Sequence, residues 1–203
     1  MFYIRKMNST ATLTNNYQVE ENGETTTMSV IGQVGVQDSK GFDFDVTLSP
    51  VSTLALTIGY GLNDSKIREM KEIKDPELIE AIYGNNPDET KQQLNSQEGN
   101  WQSNVPNQTS THTAVIPSRV VENLEFHLSS SYTGKVYRNT SNNSWFDPYW
   151  VTDFGMSYLL NNNIHLTFNL NNLFDNNYYN QALGQQMVPS MPRNFQVAIS
   201  YTL

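Results

Sequence analysis

The chain has 203 residues, 37% of them hydrophobic and 16% charged, with a net charge of −8 and an isoelectric point near 4.8. No stretch approaches the roughly 18–20 consecutive apolar residues of a membrane-spanning helix, and 12 Lys plus Arg without a run of basic residues leave no phosphate-tracking surface for nucleic acid. Cysteine is absent, which removes disulfide scaffolds, thiolate metal sites and thiol nucleophiles.

Taken in chain order, the elements are read from alternation of period two, which puts every second side chain on one face of a strand. Residues 1–17 carry Arg5 and Lys6 with no apolar run behind them, so they do not read as a signal peptide. A faint strand near 2–14 is followed by a polar connection near 19–25. Phe42, Phe44, Val46 and Leu48 then alternate with Asp43, Asp45 and Thr47, and after a short connection at 49–53 the pattern returns as Leu54, Leu56, Ile58 and Tyr60 against Ala55, Thr57 and Gly59. A long polar loop at 63–108 holds the one helix signal, with Asp75 as cap, Pro76 in the first turn and Leu78, Ile79 and Ile82 on one face. A second faint strand at 109–116 and a short connection at 117–123 lead to Leu124, Phe126 and Leu128 against Glu125, His127 and Ser129. Beyond a long connection at 138–147, Phe154, Met156, Tyr158 and Leu160 oppose Asp153, Gly155 and Ser157. A short connection at 160–163 brings Ile164, Leu166, Phe168 and Leu170 against His165, Thr167, Asn169 and Asn171. After the last long connection, at 175–190, Phe195, Val197, Ile199, Tyr201 and Leu203 oppose Gln196, Ala198, Ser200 and Thr202. The count is about eight strands.

Short and long connections alternate strictly. An antiparallel up-and-down meander with tight turns at one end and extended loops at the other has this pattern, as outer-membrane barrels do. A soluble sandwich also has alternating strands, but three features tilt the reading toward the all-β transmembrane barrel. The polar faces are rich in Gly, Ser, Thr, Asn and Asp. Strands of about 9–12 residues match a tilted span. Aromatic residues cluster where strands meet loops: Trp145, Phe146, Tyr149 and Trp150, Tyr178 and Tyr179, with Tyr132 and Tyr137 nearby, and such rings suit the headgroup level of a bilayer. The expected lipid-facing residues are Phe154, Met156, Tyr158, Ile164, Leu166, Phe168, Val197, Ile199, Tyr201 and Leu203.

The segment Asn169-Leu170-Asn171-Asn172-Leu173-Phe174-Asp175-Asn176-Asn177-Tyr178-Tyr179, followed by Pro192-Arg193-Asn194-Phe195 and a closing alternating strand, resembles the C-terminus of TonB-dependent outer-membrane receptors. Upstream, Gly41-Phe42-Asp43-Phe44 beside Leu48-Ser49-Pro50 and then 54–60 look like that family's strand, periplasmic turn and returning strand. The resemblance implies a receptor of about 22 strands closed around a plug, of which residues 1–203 supply a C-terminal fragment with a long extracellular loop at about 63–108, without plug, TonB-interacting box or export signal. An isolated piece of such a wall is expected as an open sheet with unpaired edges. The resemblance also implies the outer membrane of a Gram-negative bacterium as location; outer-membrane lipid, TonB through the plug region, the barrel assembly machinery and a small-molecule ligand as partners; and a ferric siderophore as default cargo, with haem, cobalamin and oligosaccharide left open. Chains of this class commonly end in an aromatic residue. Here Leu203 is last, with Tyr201 two positions before it.

No enzyme is read from the sequence. His112, His127 and His165 each fall on a different expected strand, with polar, lumen-facing positions for His127 and His165. No nucleophile elbow and no His-Glu pair at metal-binding spacing are present, and no cofactor is implied. Asp43 and Asp45 lie on one side of one strand and read as hydrated lumen charges ahead of a cation site or a titrating pair. Arg193-Asn194 read as hydrogen-bonding groups in the barrel wall ahead of an anion contact. Asn139-Thr140-Ser141, Asn142-Asn143-Ser144 and Asn107-Gln108-Thr109 match the glycosylation sequon but read as turn formers. The loop 63–108 mixes Lys66, Arg68, Lys71 and Lys74 with many acids, plus Tyr83 and Trp101, and selects no ligand. Two other readings remain open at this point: a complete small eight-stranded barrel with a structural or adhesive role, and a soluble β-sandwich binding module.

Overall fold

The computed structural model describes residues 1–21, 23–70, 97–183 and 186–202, with the backbone alone for 10–21, 27–34 and 183. The described residues form twelve strands: β1 Phe2–Glu21, β2 Glu24–Val51, β3 Leu54–Met70, β4 Gln108–Pro117, β5 Leu124–Thr133, β6 Val136–Tyr137, β7 Trp145–Phe146, β8 Tyr149–Asn161, β9 Ile164–Asn171, β10 Tyr179–Leu183, β11 Gln186–Pro189 and β12 Asn194–Tyr201. Eight of them form one antiparallel sheet in the order β1-β2-β3-β4-β5-β8-β9-β12, the up-and-down meander that the alternating connections predict. Each strand pairs with its chain neighbours because tight turns hold them there: Val51 pairs with Leu54, and Asn161 pairs with Ile164 while its side chain caps the turn by accepting from the N–H groups of Asn163 and Ile164. The sheet stays open, with β1 and β12 as its edges. A sandwich needs two packed layers and a small complete barrel needs its edge strands joined, and this single open sheet provides neither among the described residues.

Register fixes which side chains share a face. Leu48, Leu56, Ala114, Leu128, Phe154, Leu170 and Phe195 follow one another across seven strands, strand to strand. Phe126, Met156, Phe168 and Val197 make a neighbouring row. This is one apolar face that spans the sheet, and no described element packs on it: Phe195 is 69% exposed and Ile199 72%. Ring pairs such as Phe126–Phe154 and Phe168–Phe195, 6.2 and 6.4 Å between centroids, bind the face laterally. The buried apolar residues are few and lie elsewhere: Val36, Ile67 and Met70 high on β2 and β3, and Val136, Phe146 and Ala182 among the loop strands. Burial is thus inverted relative to a water-soluble sheet, whose apolar side is packed on a core. Leu203 lies outside the described residues.

Three expectations change. The strands β1, β2 and β3 run to 20, 28 and 17 residues, far past the 9–12 that a crossing needs. The polar connection expected near 19–25 is the tip of a long hairpin, where Glu21 pairs with Glu24 and Gly23 takes φ +80°, a conformation that glycine adopts without steric cost. Residues 63–70, expected as the start of the long loop, belong to β3, and the helix expected at 75–82 lies outside the described residues. Period-two reading missed these extensions because their few apolar residues, such as Val36, Ile67 and Met70, do not recur at every second position among polar and charged neighbours, so no regular contrast marks the strand. The connections at 138–147 and 175–190 are as long as expected, but each contributes to a small two-stranded ladder, β6-β7 and β10-β11.

Candidate functional site

The family-like segment forms a corner. Asn172, just past the end of β9, takes φ +53° and Asp175 follows at φ +54°, left-handed conformations that Asn and Asp tolerate better than most residues. The Asn172 main-chain N–H donates to Asp153 Oδ1 on β8 at 2.7 Å. Its Nδ2 donates to the carbonyls of Asn176 and Met191 at 2.9 and 3.3 Å, and its Oδ1 accepts from the Asn176 N–H at 2.9 Å. Asp175 accepts the Arg193 N–H at 2.8 Å, the Arg193 guanidinium reaches the Leu173 carbonyl, and Asn171 Nδ2 donates to Asn194 Oδ1. The Leu173 N–H donates to Thr152 O at 2.7 Å. Asn194 Nδ2 donates to the Pro192 carbonyl. Asn172 to Asp175 and Pro192 to Phe195 therefore brace the point where β9 leaves the sheet and β12 joins it. Phe174 is exposed. Tyr178 stacks on Tyr149 at 4.1 Å and Tyr179 on Phe146 at 5.5 Å; burial, with Tyr149 and Asp153 close by, pushes the Tyr178 hydroxyl above its ordinary pKa.

The polar face is built differently. Gly59 and Gly61 alternate along β3, and a Cβ at Gly59 would stand 2.6 Å from both Asp45 Oδ1 and Thr111 Oγ1, one at Gly61 2.7 Å from Asp43 Oδ1 and 3.0 Å from Thr109 Oγ1. The missing side chains let the carboxylates of β2 and the hydroxyls of β4 lean over β3 from either side, a polar trough that Asp43 and Asp45 line together. His165 and His127 also lie on this face; His165 Nε2 is 2.6 Å from Ser157 Oγ. His112 lies on the opposite, apolar face. It pairs across the ladder with Ile58 and Ser130, stacks on Trp150 at 5.7 Å and lies 3.2 Å from Ser110 Oγ, so β4 interrupts the greasy surface with a small polar notch under the Tyr132–Trp150 ring pair. Among the described residues no group of three or more His, Asp or Glu is placed to hold a metal.

Above the sheet, loop segments from three connections are tied into a crown. Asn104 exchanges two hydrogen bonds with the main chain of Ala182, both 2.9 Å, and its own N–H donates to Tyr137 O. Asn142, at φ +55°, exchanges two with the main chain of Trp101, at 2.6 and 2.9 Å. The Asn-rich stretches are turn formers, as the sequence suggested, and also the bridges between loops, which spacing along the chain does not reveal. Three cations sit over aromatic rings of this crown: Lys135 Nζ lies 3.9 Å from the Trp145 centroid and 4.6 Å from that of Tyr137, the Arg138 guanidinium lies 5.5 Å from the Phe146 centroid, and Lys66 Nζ, from β3, lies 5.0 Å from that of Trp101.

An uncovered apolar face, a polar opposite face and a loop crown at one end are the parts of an outer-membrane barrel wall. The model of the TonB dependent receptor-like β-barrel family matches residues 1–173. The chain belongs to that family. The matched region ends at Leu173, so most of the segment that first suggested the receptors lies beyond it, and the less distinctive upstream strands carry the match. A probable TonB-dependent siderophore receptor, PiuA of Acinetobacter baumannii, is 33% identical over 84 residues, 41% of this chain and 11% of that protein. Among solved structures, PiuA superposes with a TM-score of 0.66 at 23% identity, covering 92% of this chain and 24% of that one. BauA, the ferric preacinetobactin receptor of A. baumannii, superposes with a TM-score of 0.67 at 18% identity, covering 98% and 26%. At these identities the superpositions establish the fold. This TonB-dependent receptor chain spans about a quarter of the length of the solved relatives.

Proposed function

We propose that the chain is the C-terminal part of the barrel wall of an outer-membrane receptor that takes up a ferric siderophore with energy delivered through TonB. The observation that carries this reading is the eight-stranded sheet with its apolar face uncovered and both edges open, in a chain whose family is one of transport receptors rather than enzymes. In this reading the apolar face, Phe154 to Tyr201, touches lipid, the trough of Asp43, Asp45, Gly59 and Gly61 faces a hydrated lumen and plug, and further strands pair with β1 and β12 to close the wall. The siderophore assignment is supported by the names of the relatives, PiuA and BauA. The crown adds chemistry of the right kind, since aromatic faces held beside Lys135 and Arg138 suit an extended, partly aromatic anion. The outer membrane, TonB, the barrel assembly machinery and surrounding lipid enter as the setting this role requires.

Two measurements test it. The chain lacks cysteine, so a single introduced thiol reports its own surroundings: in outer membranes, Ile199→Cys should react with a lipid-soluble maleimide and resist a water-soluble one, and Ser200→Cys should do the reverse. Equal labelling of both by the water-soluble reagent would remove the membrane placement. For the cargo, cells expressing the receptor that carries this chain should accumulate iron from a ferric siderophore only with an intact TonB system, and uptake that ignores TonB would refute the transport role.

A further inference from the structure

Polar groups enter the outward face in two places. At the top of β1, β2 and β3 they are ionic and stand above the apolar rows. Asp38 accepts Arg5 through both oxygens at 2.8 and 2.9 Å and lies 3.3 Å from Arg68 Nε, and Asp64 lies 3.3 Å from Lys40 Nζ and 3.4 Å from Lys66 Nζ. Each carboxylate there is shared by two cations. The second place lies inside the apolar face, on β4, β5 and β8, where three rows follow one another down the sheet: Tyr60–Ser110–Tyr132–Trp150, then Ile58–His112–Ser130–Thr152, then Leu56–Ala114–Leu128–Phe154. The middle row is polar on three adjacent strands, with aromatic rings above it and apolar side chains below.

These groups pair with one another, Ser110 Oγ with His112 Nε2 at 3.2 Å and Ser130 Oγ with Thr152 Oγ1 at 3.2 Å. The pairs leave hydrogen-bonding capacity over. One ring nitrogen of His112 is not used in its bond to Ser110, and of the two hydroxyls on Ser130 and Thr152 one still has a proton to give while both can accept. Stacking on Trp150 at 5.7 Å holds the imidazole in place. The small side chains of Ser110, which is 8% exposed, and of Ala114 set the site back from Leu128 and Trp150, which are 44 and 46% exposed. The result is a shallow polar recess with an apolar rim.

Lipid chains do not satisfy such a recess, because hydrocarbon offers neither donor nor acceptor and an unmet polar group in it is costly. A protein surface can. The lipid-facing walls of outer-membrane barrels are apolar, whereas this recess holds donors and acceptors side by side and so complements itself about a two-fold axis along the membrane normal, His112 of one copy meeting Ser130 and Thr152 of the other. Both walls are convex, which confines contact to a strip about three strands wide and as tall as the apolar band, on the order of 14 by 25 Å. That footprint of about 350 Å² per copy is less than half of the ~800 Å² that a stable soluble complex buries on each side, so the pair holds only while the bilayer keeps both copies in one plane.

We propose that two copies of the receptor associate reversibly in the membrane through this recess on β4, β5 and β8. The proposal rests on the membrane placement above and is independent of the cargo. Its test uses intact outer membranes and the receptor that carries this chain, free of any other cysteine. Leu128→Cys, on the rim, and Val197→Cys, three strands away on the same face and 66% exposed, are each treated with a short membrane-permeant bismaleimide. Leu128→Cys should give a product of twice the receptor's mass, and Val197→Cys should not. Adding His112→Leu and Ser130→Ala to Leu128→Cys should slow formation of the product about tenfold, since each polar contact recurs across the two-fold axis and contacts of this kind in membranes contribute about threefold apiece. Adding His112→Gln instead, which keeps a donor and an acceptor, should retain most of the rate. Migration of unheated samples in SDS shows that each variant still forms its barrel, so a lost product reports a lost contact. Equal products from the two thiols would mark random collision, a product of another mass would mark a different partner, and an unchanged rate in the apolar variant would mark a contact that ignores the recess; each would overturn the proposal. So would no product from Leu128→Cys, and if Ile199→Cys still labels from the lipid phase in that case, the membrane placement stands and the dimer alone fails.

Discussion

The lower and upper halves of the β2–β3 hairpin are one ladder with two different outer faces. From Val46 to Phe42 on β2 and from Ile58 to Leu62 on β3, the outward row is aliphatic and aromatic; from Lys40 to Asp38 and from Asp64 to Lys66 it is ionic. Backbone pairing is the same in both, so the hydrogen-bond ladder does not distinguish them. The difference lies in the surroundings each face meets. An uncovered apolar row is stable where lipid covers it, and a row of shared ion pairs is stable where water reaches it, so in the proposed membrane placement the change between Phe42 and Lys40 falls at the upper edge of the bilayer.

The sharpest way to break this comparison is to put a charge in the lower face. Met156→Arg, between Phe126 and Phe168 in the apolar row, should cost roughly 2–4 kcal/mol, the penalty for a basic residue near the bilayer midplane, whereas Lys40→Gln should cost under about 1 kcal/mol, as expected of a loosely held exposed pair. Denaturant unfolding of the receptor from lipid vesicles measures both, and equal costs would dissolve the distinction. Next in size is the corner where β9 leaves the sheet. Asn172→Ala loses three side-chain hydrogen bonds at a buried position and leaves partners unpaired, so about 2 kcal/mol of destabilisation is expected. Asn172→Gly should recover part of that, because glycine accepts φ +53° without strain.

The two halves should also separate with acid. Arg5, by hydrogen bond and then by charge, holds the Asp38 carboxyl down to about 2. A carboxylate whose folded pKa lies below its unfolded one contributes in full above the unfolded value, near 4, and that contribution disappears as pH falls through the folded one. Hydrogen exchange along the upper β1–β2 pairing should therefore hold steady down to about pH 4, once corrected for intrinsic rates, and quicken toward pH 2, while the pairing of β9 with β12 shows no such step. A step shared by both regions would assign the effect to general acid unfolding. The smallest expected effect is in the crown: Lys135→Ala removes the cation above Trp145 and Tyr137, worth about 0.5–1 kcal/mol at an exposed site, visible as a shift in tryptophan emission with little change in overall stability.

How far the sequence was legible depends on contrast between faces. Where one face is apolar and the other polar, as in β9 and β12, the strands were found nearly to the residue. In the upper parts of β2 and β3, Asp38, Ser39, Lys40, Asp64, Ser65 and Lys66 are polar on both faces, and alternation carries no information there, so the extension of β3 was read as loop and that of β2 was left unassigned. The same blindness hid the basic cluster. Arg5, Lys40, Lys66 and Arg68 are scattered over sixty-odd positions of sequence, and only the pairing of three strands gathers them. The corner residues Asn172 to Asp175 and Pro192 to Phe195 were singled out by resemblance, but their role as a brace depends on Asp153, Asn176 and Met191, which no spacing rule connects to them. His112, on a faint strand with little apolar contrast, was located only once the register placed it beside Trp150.

By itself the sequence determined the class of fold, the order and direction of the strands and the side of each strand that prefers hydrocarbon, because period-two patterning and turn chemistry are local and a one-residue slip would turn every side chain the wrong way. Tertiary structure alone decided how far the strands reach beyond the apolar band, which loops are stitched into the crown, and that cations distant in the chain share two carboxylates on one face. Those outcomes depend on register between strands and on contacts across long separations, and neither is written in any single stretch of the chain.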